Sequence, residues 1–331
     1  MLTDKTILIT GGTGSFGKKF ISMTFKEHNP KKIIVYCRDE MKQWEMAQEY
    51  SKEDRIRFFL GDVRDKDRLK RACNGVDYIV HAAAGKIVPT AEYNPFEYIK
   101  TNVNGAMNII DAAIDCGVRR VVALSTDKAC NPVNLYGATK LCSDKLFISG
   151  NNYSGEQDTR FAIVRYGNVM GSRGSILPFF VKMAQTGEMP ITDERMTRFM
   201  ITLDKGVRLV WHALANACGG EIFVRKCPSM KVVDIAKTIA PKAKLKFIGI
   251  RPGEKLHEQM VSVEDARSTF DCGDYYTITS PICDWSDVAR KTKKGKPCPE
   301  GFCYSSDNNT LWLKPEELLA FLKQEFNYNP A

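Results

Sequence analysis

Ser125-Thr126-Asp127-Lys128, followed shortly by Tyr136-Gly137-Ala138-Thr139-Lys140, gathers a phenol, two ammonium groups, a carboxylate and three hydroxyls into one short span. A Tyr-x-x-x-Lys pair on a helix shows both side chains on one face, a turn apart. The ammonium favours the phenolate, so the spacing predicts a tyrosine pKa drawn down towards neutrality. A base of that kind takes the proton of a sugar or alcohol hydroxyl while hydride leaves the same carbon. Asp127-Lys128 adds a second acid/base pair, which a simple alcohol dehydrogenase does not need. The Tyr136/Lys140 spacing by itself fits a solvated helix face equally well. The start of the chain tips the reading towards chemistry.

Thr6 to Thr10 is a short apolar run of the kind buried on both faces of a parallel sheet. It leads into Gly11-Gly12-Thr13-Gly14-Ser15-Phe16-Gly17 and a predicted helix from Lys18 to Phe25. Glycines at 11, 14 and 17 suit a tight turn, a backbone that comes close to a pyrophosphate, and close helix packing. The helix N-terminus supplies amide donors and a favourable dipole for phosphates. The spacing is the Gly-x-x-Gly-x-x-Gly variant associated with short-chain dehydrogenases.

A second predicted strand, Lys32 to Tyr36, ends at Cys37-Arg38-Asp39, where the adenosine ribose is read. Arg38, with Lys42 as a helper, suits a 2′-phosphate and favours NADP. Asp39 beside it would suit NAD. Phe58 to Val63 reads as a third strand ending at Asp62, which is either an adenine contact or a plain strand-ending turn.

The chain has 331 residues, enough for one large domain or two unequal ones. Runs at Ile33–Tyr36, Tyr78–Ala82, Val121–Ser125 and Ala162–Tyr166 alternate with helical stretches, which predicts an α/β fold with a doubly wound parallel sheet. No run is apolar enough to span a membrane. A strand begins almost at once, leaving no room for a signal peptide. Eleven cysteines, an odd number, read as free thiols in a reducing compartment. Cys272, Cys283, Cys298 and Cys303 are too irregularly spaced for a zinc site, so no metal is expected. The formal charge of +9 is spread out apart from Lys291, Lys293, Lys294 and Lys296, a solvated loop, so it suits an anionic nucleotide ligand rather than nucleic acid.

Several blocks together resemble the configuration-inverting UDP-N-acetylglucosamine 4,6-dehydratases of the extended short-chain dehydrogenase/reductase superfamily, enzymes of pseudaminic-acid and related deoxy-sugar synthesis. They are Ile9 to Gly17, Gly61-Asp62-Val63-Arg64-Asp65, Ala91 to Pro95, Leu124 to Leu141, Arg165 to Val169, Met196 to Phe199, Arg251 to Lys255 and Tyr304 to Asp307. Asp127-Lys128 sets the chain apart from sugar epimerases and from retaining dehydratases. Tyr136 sets it apart from a related group with methionine there. One block departs from the pattern, with Gly85 in place of a larger apolar residue and Ile87 in place of His.

The resemblance implies roles. Tyr136, with Lys140 and Thr126, would oxidise C4; Lys128 would take the C5 proton if its pocket desolvates it enough to be neutral; and protonated Asp127 would assist loss of the 6-hydroxyl. Gly11, Thr13, Gly14, Ser15, Phe16, Gly17, Arg38, Lys42, Asp62, Val63, Ala82 and Ala83, with Tyr136 and Lys140, would hold NADP, expected ahead of NAD. Lys86, Asn168, Arg173, Arg198, Arg251 and Glu254 would hold the UDP-sugar. A Rossmann-type NADP domain is expected over 1–170, with 207–224 returning to it. A smaller substrate domain is expected from 171–206 and 225–331. The family implies a cytoplasmic homo-oligomer, commonly a hexamer. A UDP-sugar 4-epimerase would use the same Tyr136/Lys140 pair and leave Asp127-Lys128 idle, and an NADP-binding sensor would use none of them.

Overall fold

The computed structural model describes residues 2–282 and 295–328; Cys283, Lys291, Lys293 and Lys294 of the sequence reading lie outside them. The first strand, β1 (Thr6–Thr10), is buried along its whole length, as an apolar run between two helical layers must be. It pairs in parallel with β2 (Lys32–Cys37) and β4 (Tyr78–His81). Beyond these lie β3 (Ile56–Leu60) on one side and β5 (Arg120–Thr126), β6 (Arg160–Tyr166) and β10 (Ile222–Arg225) on the other, all parallel. The strand order β3-β2-β1-β4-β5-β6-β10 reverses direction between β1 and β4. A reversal of that kind opens a crevice at the carboxyl ends of the strands, where dinucleotides bind. The fold is therefore the doubly wound α/β one expected.

Helices α1 (Ser15–Glu27), α2 (Glu40–Glu49) and α3 (Lys66–Cys73) connect the first strands. The short α4 (Val88–Tyr93) and α5 (Pro95–Tyr98) and the longer α6 (Gly105–Asp115) lie between β4 and β5. Next comes α7 (Leu135–Tyr153), which Asn134 caps by accepting from the Gly137 amide at 2.7 Å. This helix buries Tyr136, Thr139, Lys140, Ser143 and Asp144 alongside Phe147. Polar groups are seldom buried along a helix unless they are paired or used.

The edge beyond β10 continues antiparallel through β15 (Tyr275–Ile278), β14 (Thr269–Asp271) and β16 (Lys296–Pro297). A second apolar core gathers Leu177 and Phe180 of α8 (Ile176–Ala184), Ile235 and Ile239 of α10 (Val232–Ile239), and Leu318 and Leu322 of the last helix, Pro315–Phe326. Small sheets flank it: β7 (Asn168–Val169), β9 (Thr197–Ile201) and β11 (Ser229–Lys231) form one, and β8 (Glu188–Ile191) with β12 (Lys244–Phe247) another. Between them α9 (Leu203–Asn216) carries the chain back to the main sheet at β10. The pair β13 (Gln259–Val261) and β17 (Tyr304–Ser305) brings the end of the 251–258 loop under the crevice. Among the described residues no helix is long and apolar enough to cross a membrane.

Candidate active site

The turn after β1 fits a dinucleotide. Gly11 has φ +65°, and a Cβ there would stand 2.9 Å from Ala83 Cα, so only glycine lets the turn lie this close to the β4 end. Thr10 Oγ1 accepts from the amides of Ala82 and Ala83, both at 3.2 Å, which fixes that neighbouring segment. Gly14 caps α1 without any side-chain hydrogen bond, so nothing competes with a phosphate for the first-turn amides of Ser15, Phe16 and Gly17. Thr13 Oγ1 lies 3.0 Å from Cys37 Sγ at the end of β2.

At the ribose end, Asp39 caps α2 through the Lys42 amide at 3.0 Å and pairs with the Lys42 ammonium. Both charges are thereby taken up locally. Arg38 is 63 % exposed and lies 3.6 Å from Asp62. Asp62 also accepts from Arg64 at 3.0 and 2.8 Å. Its burial is outweighed by Arg64 and Arg38, which leave the carboxyl below its ordinary value. Val63 is buried in the main core.

The chemical centre forms where β5 runs out. Thr126 closes the strand, Asp127 and Lys128 form the next turn, and α7 begins a few residues on. A Cβ on Gly137 would lie 2.2 Å from the Lys128 carbonyl oxygen, so glycine alone lets the turn rest on the first turn of α7. That contact brings Lys128 to Tyr136.

Tyr136 is 9 % exposed and hydrogen-bonded by Thr126. Burial pushes its phenol up to about 12, against the pull of the Lys128 charge and the Thr126 hydrogen bond. The sequence spacing predicted the opposite direction. Lys140 is itself lowered by burial, and the carboxylate that steadies it is Asp144, one turn on. Asp144 accepts from Ser125 Oγ at 2.7 Å and pairs with Arg165 at 3.3 Å.

Asp127 is 1 % exposed, and its carboxyl is raised by burial, in spite of Lys128, with Glu258 adding to the rise. Lys128 Nζ lies 3.1 Å from Asp127 Oδ1 and 3.0 Å from Glu258 Oε1. Burial pulls Lys128 down, but the two carboxylates outweigh it and its net shift is upward. The desolvated, neutral lysine expected from the sequence is thus replaced by a doubly paired ammonium. The sequence reading missed Glu258 altogether. Its one signal is an acidic residue directly before the apolar Gln259–Val261 strand.

A cavity of about 590 Å³ opens beside this centre, lined by Lys128, Asn168, Arg198, Arg251, Glu254 and Glu258 among others. Asn168 Oδ1 is buried with no hydrogen-bond partner among the described residues. Arg251 pairs with Glu254 across one loop turn. Arg198 donates to the carbonyls of Thr197 (2.7 Å), Leu256 (3.1 Å) and Lys255 (3.0 Å), so its guanidinium braces the 251–258 loop. Lys86 and Arg173 are not in that lining; Lys86 Nζ donates to Arg173 O at 2.8 Å, and the Arg173 amide donates to Ser15 Oγ at 3.2 Å. The structure thus sets this pair over the dinucleotide turn. At the departing block, the Tyr98 ring fills the space that a side chain at Gly85 would need, 2.9 Å from a Cβ there. Tyr98 Oη also bonds the Ile87 backbone at both its amide and its carbonyl. Among the described residues, no three His, Cys, Asp or Glu side chains gather as a metal cage.

Residues 7–280 match the polysaccharide biosynthesis protein family. Over 330 residues the chain is 53 % identical to a UDP-N-acetylglucosamine 4,6-dehydratase (inverting) of Campylobacter jejuni subsp. jejuni serotype O:2, covering 97 % of this chain and 98 % of that one. A UDP-glucose 4-epimerase of Rickettsia canadensis is 44 % identical over 286 residues, 84 % of each chain. Pen from Bacillus thuringiensis superposes with a TM-score of 0.89 at 36 % identity, covering 98 % of this chain and 99 % of that one. A double mutant of DesIV, the dTDP-glucose 4,6-dehydratase of Streptomyces venezuelae, with NAD bound, gives 0.68 at 25 % identity over 76 % of this chain and 86 % of that one. The chain belongs to the polysaccharide biosynthesis protein family, on the branch of the inverting UDP-N-acetylglucosamine 4,6-dehydratases that its motifs resemble.

Proposed function

We propose that this chain is a hydro-lyase that converts UDP-N-acetylglucosamine to UDP-2-acetamido-2,6-dideoxy-β-L-arabino-hex-4-ulose, with inversion at C5. The observation that carries this reading is the pair of buried Asp127 and half-buried Lys128 set against Tyr136, with Lys128 lining a nucleotide-sized cavity. An epimerase needs Tyr136 and Lys140 but has no use for a buried second acid/base pair.

A nicotinamide cofactor held at the Gly11–Gly17 turn would supply the acceptor for the C4 hydride and its source for C6. Tyr136, aligned by Thr126, takes the proton of the 4-hydroxyl. Its raised phenol pKa means that the base form depends on a positive charge arriving nearby. With C4 a ketone, the C5 hydrogen becomes acidic and Lys128 removes it. Asp127, whose carboxyl is raised by burial, gives a proton to the departing 6-hydroxyl in this reading. C5 is then protonated from the opposite face.

The cofactor in this reading is NADP. Asp39 is spent on capping α2 and on Lys42, whereas the exposed Arg38 remains to meet a 2′-phosphate. Residues 1–170 with 207–224 carry the dinucleotide, and 171–206 with 225–331 carry most of the sugar nucleotide site. The chain works in the cytoplasm as a homo-oligomer, consistent with exposed Tyr93 and Phe96 on the α4–α5 surface. Its product feeds synthesis of a pseudaminic-type deoxy sugar.

Proton NMR with UDP-N-acetylglucosamine in D₂O tests this directly. The expected result is a new 6-deoxy methyl signal with deuterium at C5. Lys128→Met should lower methyl formation by on the order of 10²–10⁴-fold. A galacto epimer with its 6-hydroxymethyl intact would hand the function to the epimerase reading that the Rickettsia relative favours.

A further inference from the structure

Lys128 is held by two carboxylates of unlike origin. Asp127 comes from its own turn, whereas Glu258 arrives at the end of the 251–258 loop. That loop is fastened without help from the Glu258 side chain. Asn134 Nδ2 donates to Gly253 O at 2.8 Å, and Lys255 Nζ to Cys130 O at 2.6 Å. The Glu258 amide donates to Ser306 Oγ at 2.9 Å, and the Ser306 amide to Glu258 O at 2.8 Å. A braced backbone therefore delivers this carboxylate to Lys128.

The Glu258 side chain is 3 % exposed. Its Oε1 meets Lys128, with Arg198 Nε at 4.0 Å, while Oε2 is buried with no hydrogen-bond partner among the described residues. Burying a half-satisfied carboxylate is costly, so such a group calls for a reason. An ammonium cannot take a proton until it has shed one. In the dehydratase reading Asp127 donates to the 6-hydroxyl, which leaves Glu258 as the acceptor in contact, a carboxylate whose burial is outweighed by Lys128 and Arg198, which hold it below its ordinary value.

We infer that Glu258 is a positioning residue that accepts the ammonium proton of Lys128, freeing the amine that removes the C5 hydrogen. The inference rests on the dehydratase reading. The proton moves from Nζ to the Glu258 carboxylate, giving a neutral amine and a carboxylic acid. The amine lone pair takes the C5 proton while the C5–H pair moves onto the C4 carbonyl oxygen. That pair returns to form the C5–C6 double bond as the C6–O bond breaks, and the oxygen leaves as water with the Asp127 proton. Lys128 touches both carboxylates, so the proton on Glu258 passes back through it to Asp127 and all three groups are reset. The proton that Tyr136 takes from the 4-hydroxyl balances the one that C5 receives. Asp127, Arg198 of β9, Lys255 of the loop and Tyr136 of α7 are the other titratable or charged groups facing this pair.

The test uses the full chain as Glu258→Gln and Glu258→Asp. Nicotinamide absorbance after mixing with UDP-N-acetylglucosamine reads C4 oxidation, and NMR in D₂O reads exchange at C5. Glu258→Gln should oxidise C4 within about threefold of the parent yet lose C5 exchange by at least ~100-fold, with Glu258→Asp recovering part of it. Exchange within about threefold of the parent, or an equal loss of both steps, overturns the inference. A second measurement needs no substrate: the pH profile of Lys128 acylation by acetic anhydride, read by mass spectrometry. It should move to lower pH in Glu258→Gln, and an unmoved profile counts against the relay. If the parent itself forms no 6-deoxy methyl signal, the dehydratase reading has failed, and the acylation profile alone decides whether Glu258 holds the Lys128 proton.

Discussion

Gly137→Ala tests whether the contact between the Asp127-Lys128 turn and α7 sets the rate. The added methyl would stand 2.2 Å from the Lys128 carbonyl oxygen, with Pro132 Cβ at 3.0 Å. A carbon–oxygen contact needs about 3.3 Å, so the turn must retreat by roughly 1 Å, and the blocking atom is backbone rather than a pliable side-chain tip. Overpacking of this kind costs about 1–3 kcal/mol, of which alanine's better helix propensity recovers up to about 1 kcal/mol. The fold should therefore survive with a modestly lower Tm. Misplacing a catalytic group by about 1 Å costs on the order of 100-fold in rate, so kcat should fall by about that much. The cavity lining other than Lys128 is untouched, so KM for the sugar nucleotide should stay within about threefold. Methyl formation by NMR and a thermal melt on the same preparation read both effects. A variant with kcat within about threefold of the parent and an unchanged or higher Tm would refute the reasoning.

Three further expectations follow from the same geometry. In the chain without cofactor, the absorbance difference against Tyr136→Phe should show Tyr136 ionising at about 12, with NADP⁺ moving it down; tyrosinate at pH 8 before cofactor is added would count against it. The sign for stability follows: the buried phenol's contribution is full below its ordinary 10.0 and is lost as pH climbs through about 12. Arg38→Ala should weaken NADP by about 10-fold or more and leave NAD binding unchanged by calorimetry, since a charge-assisted hydrogen bond contributes about 1.5–3 kcal/mol. Asp144→Asn leaves Arg165, which is 3 % exposed, with Asp265 at 3.7 Å and the Met260 carbonyl in place of its buried carboxylate, and should cost about 3–5 kcal/mol in urea unfolding; a loss below about 1 kcal/mol would show the pair to be dispensable.

The parts legible in the sequence are those that local spacing dictates. The β1–turn–α1 unit was readable because glycines 11, 14 and 17 have few other uses between an apolar run and a helix, although the helix begins at Ser15 rather than Lys18. The parallel strands were readable from buried apolar runs, to within a few residues at their ends. Protonation states were not, because they depend on what the fold brings from elsewhere. Burial alone would have lowered Lys128, but Asp127 beside it and Glu258, far along the chain, together reverse the sign. Tyr136 fails to follow its spacing to Lys140 for a related reason: desolvation outweighs any cation near it. The resemblance gave Arg198 and Arg173 as residues that would hold the UDP-sugar. The one spends its donors on loop carbonyls, and the other sits over the dinucleotide turn.

The bracing of the 251–258 loop against the Asp127-Lys128 turn also orders events in time. A ribosome adding about 5–20 residues per second needs roughly 6–26 s to travel from Lys128 to Glu258. From the start of that interval β1 to β5 have been made, while the lysine lacks the carboxylate that completes its setting. In the dehydratase reading, an unfinished copy therefore cannot complete the elimination until the 251–258 loop has arrived.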